Sequence, residues 1–442
     1  MDQPSQSTLG RVLGSRLIDR RIVLMFAFGA VAGLPLPLSG FTFRLWLSEG
    51  GVSLALIGLT ANIGLSYTLK FLWAPALDQV APPAGLRRMG QRRGWLLVIQ
   101  PLLALAAAVL ALSNPTAAPL VAIGAAALVA FLSASQDIVI DAWRIETFED
   151  RLQGAALAAY VWGYRAALLV SGSGVIASAG TIGWHTALLG VAALLALGMV
   201  VTMLAREPAV ERVPPTGQPR GAAARLRHAI IEPLREFLGR PGAFVILAFV
   251  ALFKLDDAMA GVMAAPFYRS LGFDRAAIAV ANFLPSLAAV LAGTAIGGFL
   301  VARLGVGRAL LLTGLVQSTV MGFYVVLAYS PGQVHVLYTT VFIESFAGGL
   351  ADAAFIAYLS GLCSTAFTGT QYALLSSVAA IALRTVGGLT GFLAEAVGFQ
   401  VFYMICTAAA WPAMGVMVYL LRRYPPPDRL PSDAAVPTSS PR

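Results

Sequence analysis

Twelve apolar runs make up most of the chain, at 22–43, 55–77, 95–112, 120–143, 155–179, 184–205, 243–267, 276–302, 308–329, 335–361, 370–394 and 399–421. A hydrocarbon layer about 30 Å thick takes roughly twenty residues of α-helix to cross. Within it every backbone N–H and C=O must find a partner in the protein, which leaves only helices and closed barrels. Runs of this length predict an all-α polytopic membrane protein with twelve transmembrane helices. Only 12% of the residues are charged, about half the share of a soluble domain.

The connections set the expected orientation. Arg11, Arg16, Arg20 and Arg21 precede the first run, and Arg87, Arg88, Arg92 and Arg93 follow the second. Arg144 and Arg151 follow the fourth, Arg303 and Arg308 flank the turn after the eighth, and Arg422 and Arg423 close the twelfth. The alternate connections SNPTAAP, TIGWH and SPGQVH hold no arginine, and only Arg44, Arg269 and Arg275 run against the bias. Both termini are therefore expected in the cytoplasm. A net charge of +9 spread over short connections marks topology, not a phosphate-binding face, so no nucleic-acid partner is expected. The first run is too long for a signal-peptide core and no small-residue cleavage site follows it, so it reads as a retained helix.

A proline- and arginine-rich linker at 206–241 divides the chain into six runs and six. The expected organisation is a cytoplasmic tail at 1–21, a six-helix bundle at 22–205, a cytoplasmic linker at 206–241, a second six-helix bundle at 242–423, and a disordered cytoplasmic tail at 424–442. A weak internal repeat supports the division. GVSLALIGL (51–59) lies 221 positions before GFDRAAIAV (272–280), and the same step lays GLPLPLSG (33–40) over KLDDAMAG (254–261). Parallel repeats of this kind place a transporter's substrate site near the bilayer midplane between the halves.

Charged groups inside the runs point to function, because each costs about 2.5–3.5 kcal/mol at the helix centre even on lenient scales. FLSASQDIVIDAWR (131–144) carries Asp137 and Asp141 four residues apart, on one helical face. Asp137 lies a turn deeper, and a carboxylate buried away from a cation is stabilised by taking up a proton. It is expected to carry the coupled proton, and Asp141, with Arg144 three residues on, to be an ionised gate. Only two of the 30 Lys and Arg residues are lysine, Lys70 and Lys254, and both fall inside runs. Either the genome writes arginine by default, or these sites need a compact ammonium. Lys254 belongs to FKLDDAMAG with Asp256 and Asp257, one expected to point with it and the other toward a neighbouring helix. The three form either a self-neutralising structural cluster or a substrate and proton site.

Arg165 and Arg384 lie midway along their runs. Each is expected either to bind a substrate carboxylate with its planar fork or to pair with a resident acid such as Glu344. Tyr160, Trp162 and Tyr164 precede Arg165, and aromatic faces suit sugar rings as well as membrane interfaces. Asp78, facing the Arg92 and Arg93 turn, reads as a gate. His185, His228 and His335 all lie in connections, and Cys363 and Cys406 are far apart. No catalytic constellation, phosphate-cradling loop, disulfide or metal set is readable. An enzyme and an ATP-driven pump are unsupported, no cofactor is expected, and any work must come from an ion gradient.

The segments LWLSEGGVSLALIGL, GLSYTLKFLWAPALD, GQRRGWLLVIQ, FLSASQDIVIDAWR and TGTQYALLSS resemble the AmpG-type muropeptide permeases. These are major facilitator superfamily proteins of the Gram-negative inner membrane, similar at a distance to acetyl-CoA transporters. The resemblance covers nearly all of 15–423. It implies two six-helix bundles and proton-driven import of GlcNAc–anhydro-MurNAc peptides for peptidoglycan recycling, with a link to β-lactamase induction. It points to Asp137, Asp141, Lys70, Arg165 and the segment around Tyr372. Asp352, in GGLADAAF, departs from the pattern, which has a small or hydroxyl residue there. The residues by themselves reach a secondary transporter with an amphoteric midplane cavity; the resemblance implies a bacterial inner membrane, and a monomer is expected. The alternatives are a facilitator of another bulky anion, acetyl-CoA-like or drug-like, and a membrane sensor of wall fragments that does not transport.

Overall fold

The computed structural model describes residues 19–148, 150–208, 235, 238–282, 284–362 and 368–424. Most of the linker and both tails lie outside this range, as do the side chains of Asp78 and Tyr372. The described residues are helical, with no strand among them. The principal helices are α1 (Arg20–Gly33), α2 (Phe41–Glu49), α3 (Gln91–Leu112), α4 (Pro119–Thr147), α5 (Asp150–Leu169) and α6 (Trp184–Leu204) in the first half. The second half has α7 (Ala243–Leu252), α8 (Leu255–Ser270), α9 (Leu284–Leu304), α10 (Val306–Val320), α11 (Val334–Leu362) and α12 (Thr368–Arg423). Ten helical stretches of described residues are long and apolar enough to cross a membrane.

Several expected spans are not simple rods. The first is interrupted after α1, where Pro35 and Pro37 each lack a backbone donor, and it resumes at α2 beyond Gly40. The second changes winding repeatedly, from Leu54–Leu59 through 3₁₀ turns at Thr60–Gly64 and Lys70–Leu72 to Ala74–Gln79. The seventh is two helices, broken at Phe253 and Lys254, and the hydrogen-bond ladder resumes where the Ala258 N–H donates to the Lys254 carbonyl at 2.9 Å. The eleventh and twelfth run together as α12, divided at Gly398 with φ 73°.

Contacts sort the chain into two compact units: Met1–Ser53 with Ile63–Val213, and Leu54–Asn62 with Pro214–Arg442. Leu54–Asn62, in the first bundle by chain order, thus packs in the second unit, where the Ala55 N–H donates to Glu395 Oε1 at 3.1 Å. In the first unit α1 crosses α5 at glycines. A Cβ on Gly29 would run into the Tyr160 carbonyl, and one on Gly163 into that of Phe26. Small residues let helix backbones close to this distance, which membrane helices need because lipid gives them no hydrophobic drive to associate. In the second unit α9 crosses α11 in the same way at Gly293 and Gly349. Aromatic rings fill that unit's interior: Phe253 stacks on Phe355 at 5.1 Å, and Tyr324 on Tyr403 at 4.8 Å.

The two units repeat one another in their turns. After α2 the Gly51 N–H bonds the Ser48 carbonyl at 3.2 Å and the Val52 N–H bonds Leu47 at 3.1 Å. After α8 the Gly272 N–H bonds Arg269 at 3.0 Å and the Phe273 N–H bonds Tyr268 at 3.3 Å. These are the same helix-ending motif, 221 residues apart, each turning on a glycine in the left-handed region (φ 70° and 82°). Beyond them the step shortens to 215. Gly90 pairs with Gly305 and Gly183 with Gly398, all four at positive φ. The 29-residue α4 and α11 begin and end 215 apart.

Candidate functional site

In the first unit the site is built on α4. Ser133, Asp137 and Asp141 recur every fourth residue and share one stripe. Asp137 is buried, and its Oδ1 has no hydrogen-bond partner among the described residues. The side chains of Ser133 and Gln136 are likewise buried and unbonded among them. Leaving a buried polar group unsatisfied costs about 1–3 kcal/mol, so packing alone does not account for Ser133, Gln136 and Asp137 here. A carboxyl placed in this way can bind or release a proton without stranding a paired cation. Asp141 is half-buried, its Oδ1 3.7 Å from Arg144 Nη2. Lys70 begins the 3₁₀ turn before Trp73, whose indole donates to Ser135 Oγ of α4 at 3.0 Å. On α5 the four candidates divide between faces. Tyr160 and Tyr164 are half-buried with ring centroids 6.0 Å apart, whereas Trp162 and Arg165 are exposed.

In the second unit the site is built on the break between α7 and α8. Lys254, 8% exposed, caps the start of α8. Its Nζ lies 3.3 Å from Asp257 Oδ2 and 2.8 Å from Asp352 Oδ1 on α11. Asp256 is buried with no partner for Oδ1 among the described residues. So of the two neighbouring acids, Asp257 turns with Lys254. Glu344 lies two turns before Asp352 on α11, 3.5 Å from Ser345 Oγ, which in turn meets Ser286 Oγ at 2.7 Å. Arg384 is exposed on α12.

The arginines expected to gate are bound within the first unit. The buried Arg92 holds Glu146 of α4 through Nε (3.1 Å to each oxygen) and Nη2 (2.5 Å). Arg93 donates to the carbonyls of Thr202 and Met203 at the end of α6. The N–H groups of Arg92 and Arg93, at the start of α3, are capped by the two oxygens of Glu207, each at 2.9 Å. At the same helix ends Arg21 bonds Asp19, and this guanidinium holds the Asp19 carboxyl below the usual carboxylate range. Arg20, Arg206 and Trp143 line a cavity of about 320 Å³ there.

The sequence reading did not assign Asp352, Glu146 or Glu207 a role. Asp352 had a signal: it stands 215 residues after Asp137, the step that relates Gly90 to Gly305. A repeat followed at a fixed 221 misses it, because the second half has six fewer residues between Gly272 and Gly305 than the first has between Gly51 and Gly90. Glu146 and Glu207 are ordinary helix-end acids until the fold brings them to the start of α3.

The chain has two units of one repeated helical design, and the solved structures agree on the fold. The chain matches the nucleoside transporter NupG with a TM-score of 0.68 (13% identity, 90% of this chain, 99% of that one). It matches a D-xylose–proton symporter with 0.63 (14% identity, 92% and 98%). It is an all-α multi-pass membrane protein of the major facilitator fold. No family model matches. Among curated relatives it is 36% identical to the anhydromuropeptide permease of Escherichia coli K12, over 89% of this chain and 78% of that one. It is 32% identical to the putative transporter AmpG 4 of Rickettsia conorii, over 91% and 97%. The chain belongs to the AmpG anhydromuropeptide permease family.

Proposed function

We propose that the protein carries anhydro-muropeptides, GlcNAc–anhydro-MurNAc peptides, from periplasm to cytoplasm across a bacterial inner membrane, driven by protons. The 36% identity to the Escherichia coli permease over nearly the whole chain carries this reading. The embedded charges support it. Asp137 is the proton carrier and Asp141 with Arg144 the gate. Arg165 and Lys254 meet stem-peptide carboxylates, while Tyr160, Trp162 and Tyr164 offer faces to the sugars. Lys70, Glu344, Tyr372 and Arg384 complete the substrate path, and Asp256 and Asp257 are the alternative proton carriers. Arginine-rich connections put both termini in the cytoplasm. The test is uptake of labelled anhydro-muropeptide into proteoliposomes with and without an inward proton gradient. Accumulation only with the gradient is the expected result. Equal uptake in both conditions removes the coupling, and no uptake in either removes the substrate.

A further inference from the structure

Three spans of the first unit end together: α1 starts at Arg20, α4 stops at Thr147 and α6 stops at Leu204. Between their ends lies the cavity of about 320 Å³, walled by Arg20, Arg21, Arg206, Trp143, Thr147 and Leu204. The transport reading does not use it. The acids nearby are already committed: Asp19 to Arg21 at 2.8 Å, Glu146 to Arg92, and Glu207 to the N–H groups that open α3. So are the helix-end carbonyls that would repel an anion. Arg20 Nη2 donates to the Leu204 carbonyl at 3.2 Å, Arg21 Nη1 to that of Thr147 at 3.4 Å, and the Trp143 indole to that of Arg206 at 2.9 Å. The Arg206 guanidinium has no hydrogen-bond or ion-pair partner among the described residues, and the Thr147 hydroxyl is buried without one among them.

We propose that this cavity binds the phosphodiester headgroup of an anionic phospholipid, drawn from the leaflet at this end of the spans. Arg20 and Arg206 supply the net positive charge and the planar forks that match phosphate oxygens. Arg21, neutralised by Asp19 and laid on the Phe148 ring at 5.5 Å, shapes the wall. Thr147 adds a neutral hydroxyl donor. A soluble phosphate would use the same donors, but the flanks of the cavity suit a lipid. Val23 stands one turn from Arg20 on α1, and Val200 one turn from Leu204 on α6, and all three apolar side chains are exposed. Acyl chains can run along them beneath a headgroup held at the helix ends, the geometry of basic pockets between membrane helices. Arginines that serve orientation alone need only a short connection and no cavity.

The test titrates the full-length protein in detergent with phosphatidylglycerol, with phosphatidylcholine of the same chain length, and with inorganic phosphate, reading binding by native mass spectrometry. Wild-type protein is expected to retain phosphatidylglycerol, and to hold the uncharged phosphatidylcholine and the chainless phosphate far more weakly. An arginine beside an anionic headgroup is worth about fivefold in affinity, about 1 kcal/mol. Arg206→Gln is therefore expected to weaken phosphatidylglycerol about fivefold, and Arg20→Gln with Arg206→Gln about twenty-fivefold. Arg303→Gln with Arg308→Gln, which removes two exposed arginines from a turn of the second unit, is the control and should leave the affinity unchanged. The single Arg206 variant breaks no described contact, so it decides the matter should the double variant fail to fold. Equal binding of the two lipids overturns the proposal, as does undiminished affinity in Arg206→Gln or an equal loss in the control pair. Phosphate that displaces phosphatidylglycerol at matching concentration overturns it too, by making the ligand a soluble anion.

Discussion

The first span of each half is broken at the same step of the repeat, and the two breaks are made of different chemistry. Gly33 to Gly40, GLPLPLSG, is neutral and interrupted by prolines. Lys254 to Gly261, KLDDAMAG, carries three charges. The fourth span shows the converse pairing: Asp137 in α4 has no described hydrogen-bond partner on Oδ1, and Asp352 at the matching position in α11 is held by Lys254. Turns, helix lengths and breaks repeat between the units, but the charges do not. Backbone repeats survive because they depend on glycines and helix ends, whereas a charge inside a membrane is kept only where it has work to do. One half isolates a carboxyl that can change its charge, and the other fixes a carboxylate against a cation.

The largest effect should follow from exchanging those roles. Asp137→Asn is expected to abolish gradient-driven accumulation while counterflow exchange of labelled substrate persists, since a neutral side chain permits conformational exchange without a proton. Asp352→Asn is expected to keep gradient-driven accumulation, because Asp257 still lies 3.3 Å from the Lys254 ammonium and neutralises it. Equal loss of accumulation in both variants would end the division of labour between the halves. Accumulation by Asp137→Asn would move the proton to Asp256 or Asp257.

How far this comparison was readable in advance depends on the range of the interactions involved. The spans, the two halves and the acids of QDIVIDA follow from apolar run length and from the price of a charge in hydrocarbon, which are local properties. Breaks in the spans were half visible. Pro35 and Pro37 announce one, but Lys254 breaks its span with no proline or glycine beside it. The Asp352 contact joins α8 and α11, nearly a hundred positions apart, and the partners of Arg92 and Arg93 come from α4, α6 and the start of the linker. No periodicity encodes such pairs. The glycine crossings had a signal that the sequence analysis did not use: in FGAVAG, Gly29 and Gly33 stand four apart, a spacing that marks close helix contact.

An intermediate effect tests whether ion pairs in the first unit are scaffold. Arg92 and Glu146 form a buried bidentate pair at the helix ends. Removing one member of such a pair leaves a stranded charge and costs about 3–5 kcal/mol. Arg92→Gln is expected to lower the unfolding midpoint in detergent sharply, and the double variant Arg92→Gln with Glu146→Gln to recover most of it, with proton coupling intact in whatever inserts. A single variant of normal stability and defective transport would instead make the pair a gate, and the first unit would then use paired charges in the cycle as the second does.

The smallest effect asks whether the repeated turns are energetically the same turn. Gly51 and Gly272 each end a helix at positive φ, and a Cβ added to either would meet nothing within 4 Å. Alanine at these positions is opposed by backbone conformation alone, at about 1–2 kcal/mol for an L-residue in the left-handed region. Gly124 in α4 is the control: its Cβ also meets nothing within 4 Å, but its backbone is helical. There alanine should be neutral or stabilising by roughly 0.5–1 kcal/mol. Thermal unfolding in detergent should therefore show Gly51→Ala and Gly272→Ala lowered by matching amounts and Gly124→Ala unchanged or raised. A drop for Gly272→Ala well beyond that for Gly51→Ala would mean that the second unit's turn does more than end a helix. The likeness of the two halves would then stop at geometry.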